Sequence, residues 1–195
     1  MAHSGSGLWR LEDGDDAPPP YWAYHWAGGL VLARHILERP EIVRSRRVLD
    51  LGAGSGVVGI AAAMAGAAEV TAADINRYAA AATKLNAEAN GVSVRAICED
   101  LVEGPPPQVD LVLVGDLFYA QELADRVMPF LEACVEAGSQ VLIGDPGRAY
   151  LPRAQLRVVA QYRVPDFGEV RADASPLSSV FSLEPASRPA SELVR

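Results

Sequence analysis

The chain is predicted to fold as an α/β protein, with a seven-stranded, mostly parallel sheet covered by helices on both faces. Three observations predict it. From residue 28 to residue 144, apolar runs of strand length alternate with stretches of helical period. The first of these strand-like runs ends in a glycine-rich turn, Gly52 to Gly56. The last two apolar runs follow one another with no helical pattern between them. Regular alternation of strand and helix implies crossover connections, which lay successive strands parallel, whereas two strands joined by a loop pair antiparallel.

In chain order, an apolar helix over 28–38 precedes the first strand, Arg47 to Leu51. A helix over 56–65 opens directly from the glycine turn. The second strand, Glu69 to Ala73, leads through Asp74 into a helix over 76–90, which Asn90-Gly91 stops because glycine tolerates the left-handed conformation at a helix end. The third strand is expected over Ser93 to Ile97 and the fourth over Val109 to Gly115. A helix over 121–137 separates the fourth from the fifth, Gln140 to Gly144. Leu156 to Val164 and Leu177 to Leu183, joined by the Pro/Asp/Gly segment Pro165 to Asp173, read as an antiparallel pair at the sheet edge. Residues 1–17 read as a polar, flexible leader and 186–195 as a flexible tail, leaving one domain over 18–185.

Composition narrows the function classes. Half of the residues are hydrophobic and 22% are charged, as in a globular domain, and no apolar run approaches the roughly 20 residues needed to cross a bilayer. The N-terminus shows neither a secretory signal nor a transit-peptide pattern, so a cytoplasmic location is expected. Two cysteines, Cys98 and Cys134, exclude a disulfide framework and read as buried apolar fillers. With only three histidines, no metal site is expected. A net charge of −8 argues against nucleic acid as a partner, because phosphate binding needs clustered Lys and Arg. A protein or small-molecule substrate is expected instead, with no membrane association and a monomer as the favoured state.

The turn VLDLGAGSGVVGI, Val48 to Ile60, marks a cofactor site. Gly52, Gly54 and Gly56, with Ala53 and Ser55 between them, are spaced G-x-G-x-G, and Val57 stands where a dinucleotide fold would carry its third glycine. That difference favours S-adenosyl-L-methionine over NAD. Asp74, followed by Ile75, lies at the end of the second strand, where a carboxylate can accept from both ribose hydroxyls of an adenosine. After the third strand, Asp100 is preferred to Glu99 as acceptor from the adenine amine, with Leu101 beside it. Asp50, inside the first strand, is expected either to hold the backbone amides of the turn or to meet the cofactor's ammonium group, since a buried carboxylate needs such a partner.

VLDLGAGSG, AADI and VDLVLVGDLFY together resemble the Rossmann-like class I methyltransferases that use S-adenosylmethionine, and Asp116 to Tyr119, DLFY, resembles the D-x-x-Y signature of the lysine methyltransferases among them. PYWAYHWAGGLVLARHIL, GDLFY with ELAD, and LIGDPGR are similar to the electron transfer flavoprotein β-subunit lysine methyltransferases, over about residues 20–183. The resemblance implies methyl transfer to a lysine of that β subunit. It also implies that Trp26, rather than Trp22, packs on the adenosyl group. Leu101 departs from the tryptophan that many relatives carry there.

The fourth strand is expected beside the first, so DLFY faces the reacting methyl group. Asp116 is expected to bind cofactor-side groups and to capture the acceptor ammonium, with Phe118 and Tyr119 supplying ring faces that exclude water. A carboxylate is a weak base for an amine, so the proton is expected to leave through water. Arg148, in GDPGR, is read either as a contact for an acidic patch on a protein partner or as an exposed charge on a rigid turn. Other assignments stay open: a methyltransferase for a ribosomal or other protein, one for a small amine, or a cofactor-binding partner without turnover. A nicotinamide oxidoreductase is disfavoured by Val57.

Overall fold

A computed structural model describes residues 20–166, 175 and 177–184. Its elements run α1 Ala27–Glu38, β1 Arg47–Leu51, α2 Val57–Met64, β2 Glu69–Asp74, α3 Arg77–Ala89, β3 Arg95–Cys98, β4 Leu111–Gly115, α4 Gln121–Glu136, β5 Gln140–Asp145, β6 Leu156–Arg163 and β7 Leu177–Leu183. The sheet order is β3-β2-β1-β4-β5-β7-β6. β1 to β5 are parallel, and β7 lies antiparallel to both β5 and β6. The predicted edge pair is present, with β7 inserted between β5 and β6. The leader over 1–17, the tail over 186–195 and most of the segment joining β6 to β7 lie outside the described residues.

Side chains alternate through the sheet as the period of a strand requires. On one face Leu49, Val112, Val114, Val141 and Ile143 pack with Phe130, Leu131 and Cys134 of α4. On the other, Val48, Leu111, Leu113 and Leu142 pack with Val31, Leu32 and Ile36 of α1 and with Val58 and Ala62 of α2. The strands buried on both faces are continuous apolar runs for this reason. Asn76 caps α3, its side-chain oxygen accepting the N–H groups of Tyr78 and Ala79 at 2.8 and 3.4 Å.

Several boundaries shift. β3 starts at Arg95 rather than Ser93, because this short edge strand pairs only with β2, from Thr71 to Asp74. β4 starts at Leu111 rather than Val109; Asp110 instead accepts from the Arg47 N–H and side chain. β2 and β5 each run one residue further than expected, so Asp74 and Asp145 are the last residues of their strands. Cys134 is buried as expected, whereas Cys98 is exposed at the end of that edge strand.

Candidate active site

The carboxyl ends of β1, β2, β4 and β5 converge with the N-terminus of α1, and every acid of the site lies on one of these strand ends or against that helix. The glycine turn begins the construction. Gly52, Gly54 and Gly56 have φ of 68°, 55° and 87°, in the region where a Cβ is strained. At Gly52 a Cβ would also meet the Leu117 side chain at 2.6 Å. The N–H groups of Gly52 and Ala53 both reach the Ala73 carbonyl, at 2.9 and 3.0 Å. From α3, Thr83 donates to the Gly54 carbonyl at 3.0 Å and Asn86 to that of Ser55 at 2.8 Å. The turn is thus held by β2 and α3.

Asp74 accepts the Gly54 N–H with one oxygen and the Asn76 N–H with the other, each at 2.9 Å. A carboxylate has about four lone-pair positions, so one remains on each oxygen, a pair suited to a vicinal diol. Ile75 beside it is 72% exposed, an apolar face at the mouth of the cleft. Together they fit a nucleoside. Trp22 and Tyr78 stack at 6.3 Å, and the Trp22 backbone lies against Gly54. The Trp22 indole nitrogen is buried without a hydrogen-bond partner among the described residues.

Two further acids are engaged by groups of the protein itself. Asp50 is fully buried, and one of its oxygens accepts the Gly59 N–H in the first turn of α2 at 2.8 Å. It supports that helix from beneath the turn, and burial pushes its carboxyl up to about 7. Asp100 caps the single helical turn Leu101–Glu103 through the Val102 N–H and pairs with Arg126 of α4 at 2.6 Å. Its carboxylate is engaged by that arginine, and Leu101 is half-buried against the core.

The second half of the site is built around Asp116. This residue has φ 56°, a left-handed conformation rare for a residue with a Cβ, and it turns the chain sharply out of β4. Its Oδ2 accepts the Gly29 N–H from the start of α1 at 3.0 Å. Its Oδ1 accepts from Nε and Nη2 of Arg148 at 3.1 and 2.9 Å. α1 comes this close because a Cβ on Gly28 would collide with the Gly144 carbonyl and the Asp116 carboxylate. Burial pushes the Asp116 carboxyl up to about 6; Arg148 acts in the opposite direction, and the nearby Asp145 adds to the rise.

Arg148 corrects its sequence reading. It points into the site, bridging Asp116 to Asp166 at 3.1 Å, with its guanidinium 5.7 Å above the Trp26 ring. Asp166 in turn accepts the Ala27 N–H at the head of α1. Asp145, fully buried, accepts the N–H groups of Gly147 and Arg148 with one oxygen, which fixes the turn carrying Arg148. Phe118 is also corrected: it is fully buried in the α4-side core and offers no face to the cleft. Tyr119 is 57% exposed and its ring lies 6.4 Å from that of Tyr21, which also packs on Trp26 at 6.0 Å. Tyr21, Asp166 and the Gly28-Gly29 pair were not singled out as site residues from the sequence, and Asp145 was read only as part of the GDPGR turn. Only the glycine pair carried a local signal, two glycines inside an apolar helix.

No group of three metal-ligating side chains occurs among the described residues. No helix among them is long and apolar enough to cross a membrane. A cleft of about 250 Å³ lined by His35, Arg39, Gln140 and Tyr162 lies at the opposite ends of the strands, beside the start of β5.

The family described as ribosomal protein L11 methyltransferase (PrmA) matches residues 32–140. The electron transfer flavoprotein beta subunit lysine methyltransferase of Danio rerio is 43% identical over 155 residues, which are 76% of this chain and 60% of the relative. That of Rattus norvegicus is 36% identical over 184 residues, 91% of this chain and 70% of the relative. The chain therefore spans between about three fifths and seven tenths of these relatives. Among solved structures, a ribosomal protein L11 methylase from Lactobacillus delbrueckii subsp. bulgaricus superposes with a TM-score of 0.57 at 22% identity, over 83% of this chain and 81% of that one. The 16S rRNA methyltransferase RsmC of T. thermophilus, in complex with AdoMet and guanosine, gives 0.55 at 20% identity over 88% and 44%. These last two share the fold.

Proposed function

The chain belongs to the family of the electron transfer flavoprotein beta subunit lysine methyltransferases, and from that membership we propose that it transfers a methyl group from S-adenosyl-L-methionine to a lysine of the electron transfer flavoprotein β subunit. The observation that carries the reading is the placement of Asp116. A carboxylate at the end of β4, next to the strand that bears the glycine turn, is followed three residues on by the exposed ring of Tyr119.

The bound cofactor supplies an electrophilic methyl group on a sulfonium. Asp74 would accept from the ribose hydroxyls, Ile75 would offer an apolar contact beside the nucleoside, and the turn from Gly52 to Gly56 would let the backbone approach closely. Methyl transfer is an in-line displacement by a neutral amine, so the protein contributes mainly placement and an available lone pair. Asp116 attracts and orients the acceptor ammonium. Tyr119 and Tyr21 wall it off from water, which lowers the cost of losing a proton. The proton passes to solvent at the mouth, since a carboxyl titrating near 6 is too weak a base to hold it.

The test is incubation of the pure protein with isotopically labelled S-adenosylmethionine and purified flavoprotein β subunit, followed by peptide mass spectrometry. Label on one or a few lysines of the β subunit is expected; an unlabelled subunit with cofactor bound overturns the proposal. The match to the ribosomal protein L11 methyltransferase family favours one second reading, a ribosomal protein acceptor. Purified ribosomal protein in the same assay separates the two.

A further inference from the structure

Arg148 fills half of the acceptor capacity of the carboxylate on which the proposed transfer depends. Its Nε and Nη2 both donate to Oδ1 of Asp116, at 3.1 and 2.9 Å. The Gly29 N–H takes one position on Oδ2, at 3.0 Å, and Gly28 packs against that same oxygen. Of about four lone-pair positions three are therefore engaged, leaving one, on a single oxygen. The arginine is itself held firmly. The same Nη2 reaches Asp166 at 3.1 Å, the Trp26 ring lies beneath the guanidinium, and Asp145 anchors the Arg148 backbone N–H at 2.6 Å.

We propose that Arg148 is a specificity-determining and positioning residue: by saturating Oδ1 of Asp116, it leaves a one-point contact that takes an ammonium and turns away a guanidinium. This rests on the reading of Asp116 as the carboxylate that binds the acceptor. A guanidinium pairs best with a carboxylate through two parallel N–H···O bonds, which need an open edge spanning both oxygens. That edge is closed here. A lysine ammonium is a compact charge with three donors in a cone, so a single remaining lone pair serves it. Cation attraction survives the presence of Arg148, because two carboxyl groups, those of Asp116 and Asp166, pair with this one guanidinium and a third, that of Asp145, lies close by on its backbone N–H.

The experiment compares wild type, Arg148→Ala and Arg148→Lys on the flavoprotein β subunit. The lysine found to be methylated is kept in one preparation and replaced by arginine in a second, which is used as a competitive inhibitor. In wild type the arginine-bearing subunit is expected to bind at least about tenfold more weakly than the lysine-bearing one. In Arg148→Ala that gap is expected to close to within about threefold. The acid limb of kcat/KM should also move up by roughly one pH unit or more, since an adjacent cation holds a carboxyl down by about that much. Arg148→Lys restores the charge and is expected to return the acid limb to its wild-type position. An Arg148→Ala enzyme that is merely slower, with discrimination and acid limb unchanged, overturns the proposal and leaves Arg148 a structural residue. A wild type that leaves the lysine unmethylated overturns instead the reading on which the proposal rests.

Discussion

Asp74 and Gly54, twenty residues apart in sequence, are joined by a 2.9 Å hydrogen bond from the glycine N–H to the carboxylate. One acid therefore has two parts to play: it fixes the shape of the turn, and in the proposed cofactor site its remaining lone pairs accept from the ligand. Asp74→Ala removes both. Hydrogen bonds to a charged group contribute about 1.5–3 kcal/mol, so affinity for S-adenosylmethionine is expected to fall about ten- to a hundredfold. The side chain is only half-buried, and the melting temperature should stay within about 5 °C of wild type. Titration calorimetry decides; unchanged affinity removes Asp74 from the cofactor site.

Asp50 predicts an effect on stability and pH. In the unfolded chain its carboxyl titrates near 3.8, whereas burial raises it to about 7 in the folded protein. Between those values the folded state binds more protons, so stability declines as pH rises from 4 toward 7. Asp50→Asn keeps an acceptor for the Gly59 N–H and removes the charge. The fall in melting temperature between pH 5 and pH 8 is expected to shrink, by an amount of the order of a few kcal/mol in stability. Asp116 and Asp145 are raised by burial too, so the slope should be reduced rather than abolished. A slope equal to that of wild type in urea titrations across this range rules the account out.

The glycine turn and the strand-end acid Asp74 were legible in the sequence because their signals are local. A G-x-G-x-G turn between a strand and a helix, and an acid at the end of the next strand, each occupy a few consecutive residues, and sheet order follows from the connections. The acceptor half was not. Asp116 meets Gly29 across 87 residues and Arg148 across 32, and no local pattern joins them. Adjacent rings are ambiguous for a related reason. Phe118 and Tyr119 read alike in DLFY, yet after the left-handed turn at Asp116 one enters the core and the other the mouth. Asp100 was placed at the correct strand end, but its pairing with Arg126 depends on how α4 packs beside the turn Leu101–Glu103.

Asp116 makes a kinetic prediction. To hold a cation it must be ionised, and its carboxyl is raised to about 6, so kcat/KM is expected to fall as pH drops through that value. Asp116→Asn preserves an acceptor for the Gly29 N–H while removing the charge. It should lose the acid limb and lower kcat/KM by about a hundredfold, within the range for removing one partner of a buried charge pair. The measurement is a pH–rate profile between pH 5 and pH 9. An acid limb retained in the variant assigns that limb to another group.

Phe118 and Tyr119 separate packing from chemistry at neighbouring positions. Phe118→Ala empties a fully buried site among Val112, Val114 and Leu131, and such truncations cost about 3–5 kcal/mol, or roughly 6–20 °C in melting temperature for a chain of this size. Cofactor affinity measured well below that melting point should be little changed, since Phe118 does not line the cleft. Tyr119→Ala is expected to do the opposite. Its ring is more than half exposed, so the melting temperature should move by no more than about 2 °C. Loss of a ring face for the acceptor cation, about 0.5–2 kcal/mol, should lower kcat/KM for the protein acceptor by up to about thirtyfold without weakening the cofactor. If both variants lose stability alike, Tyr119 belongs to the core; if neither changes transfer, the acceptor enters by another path.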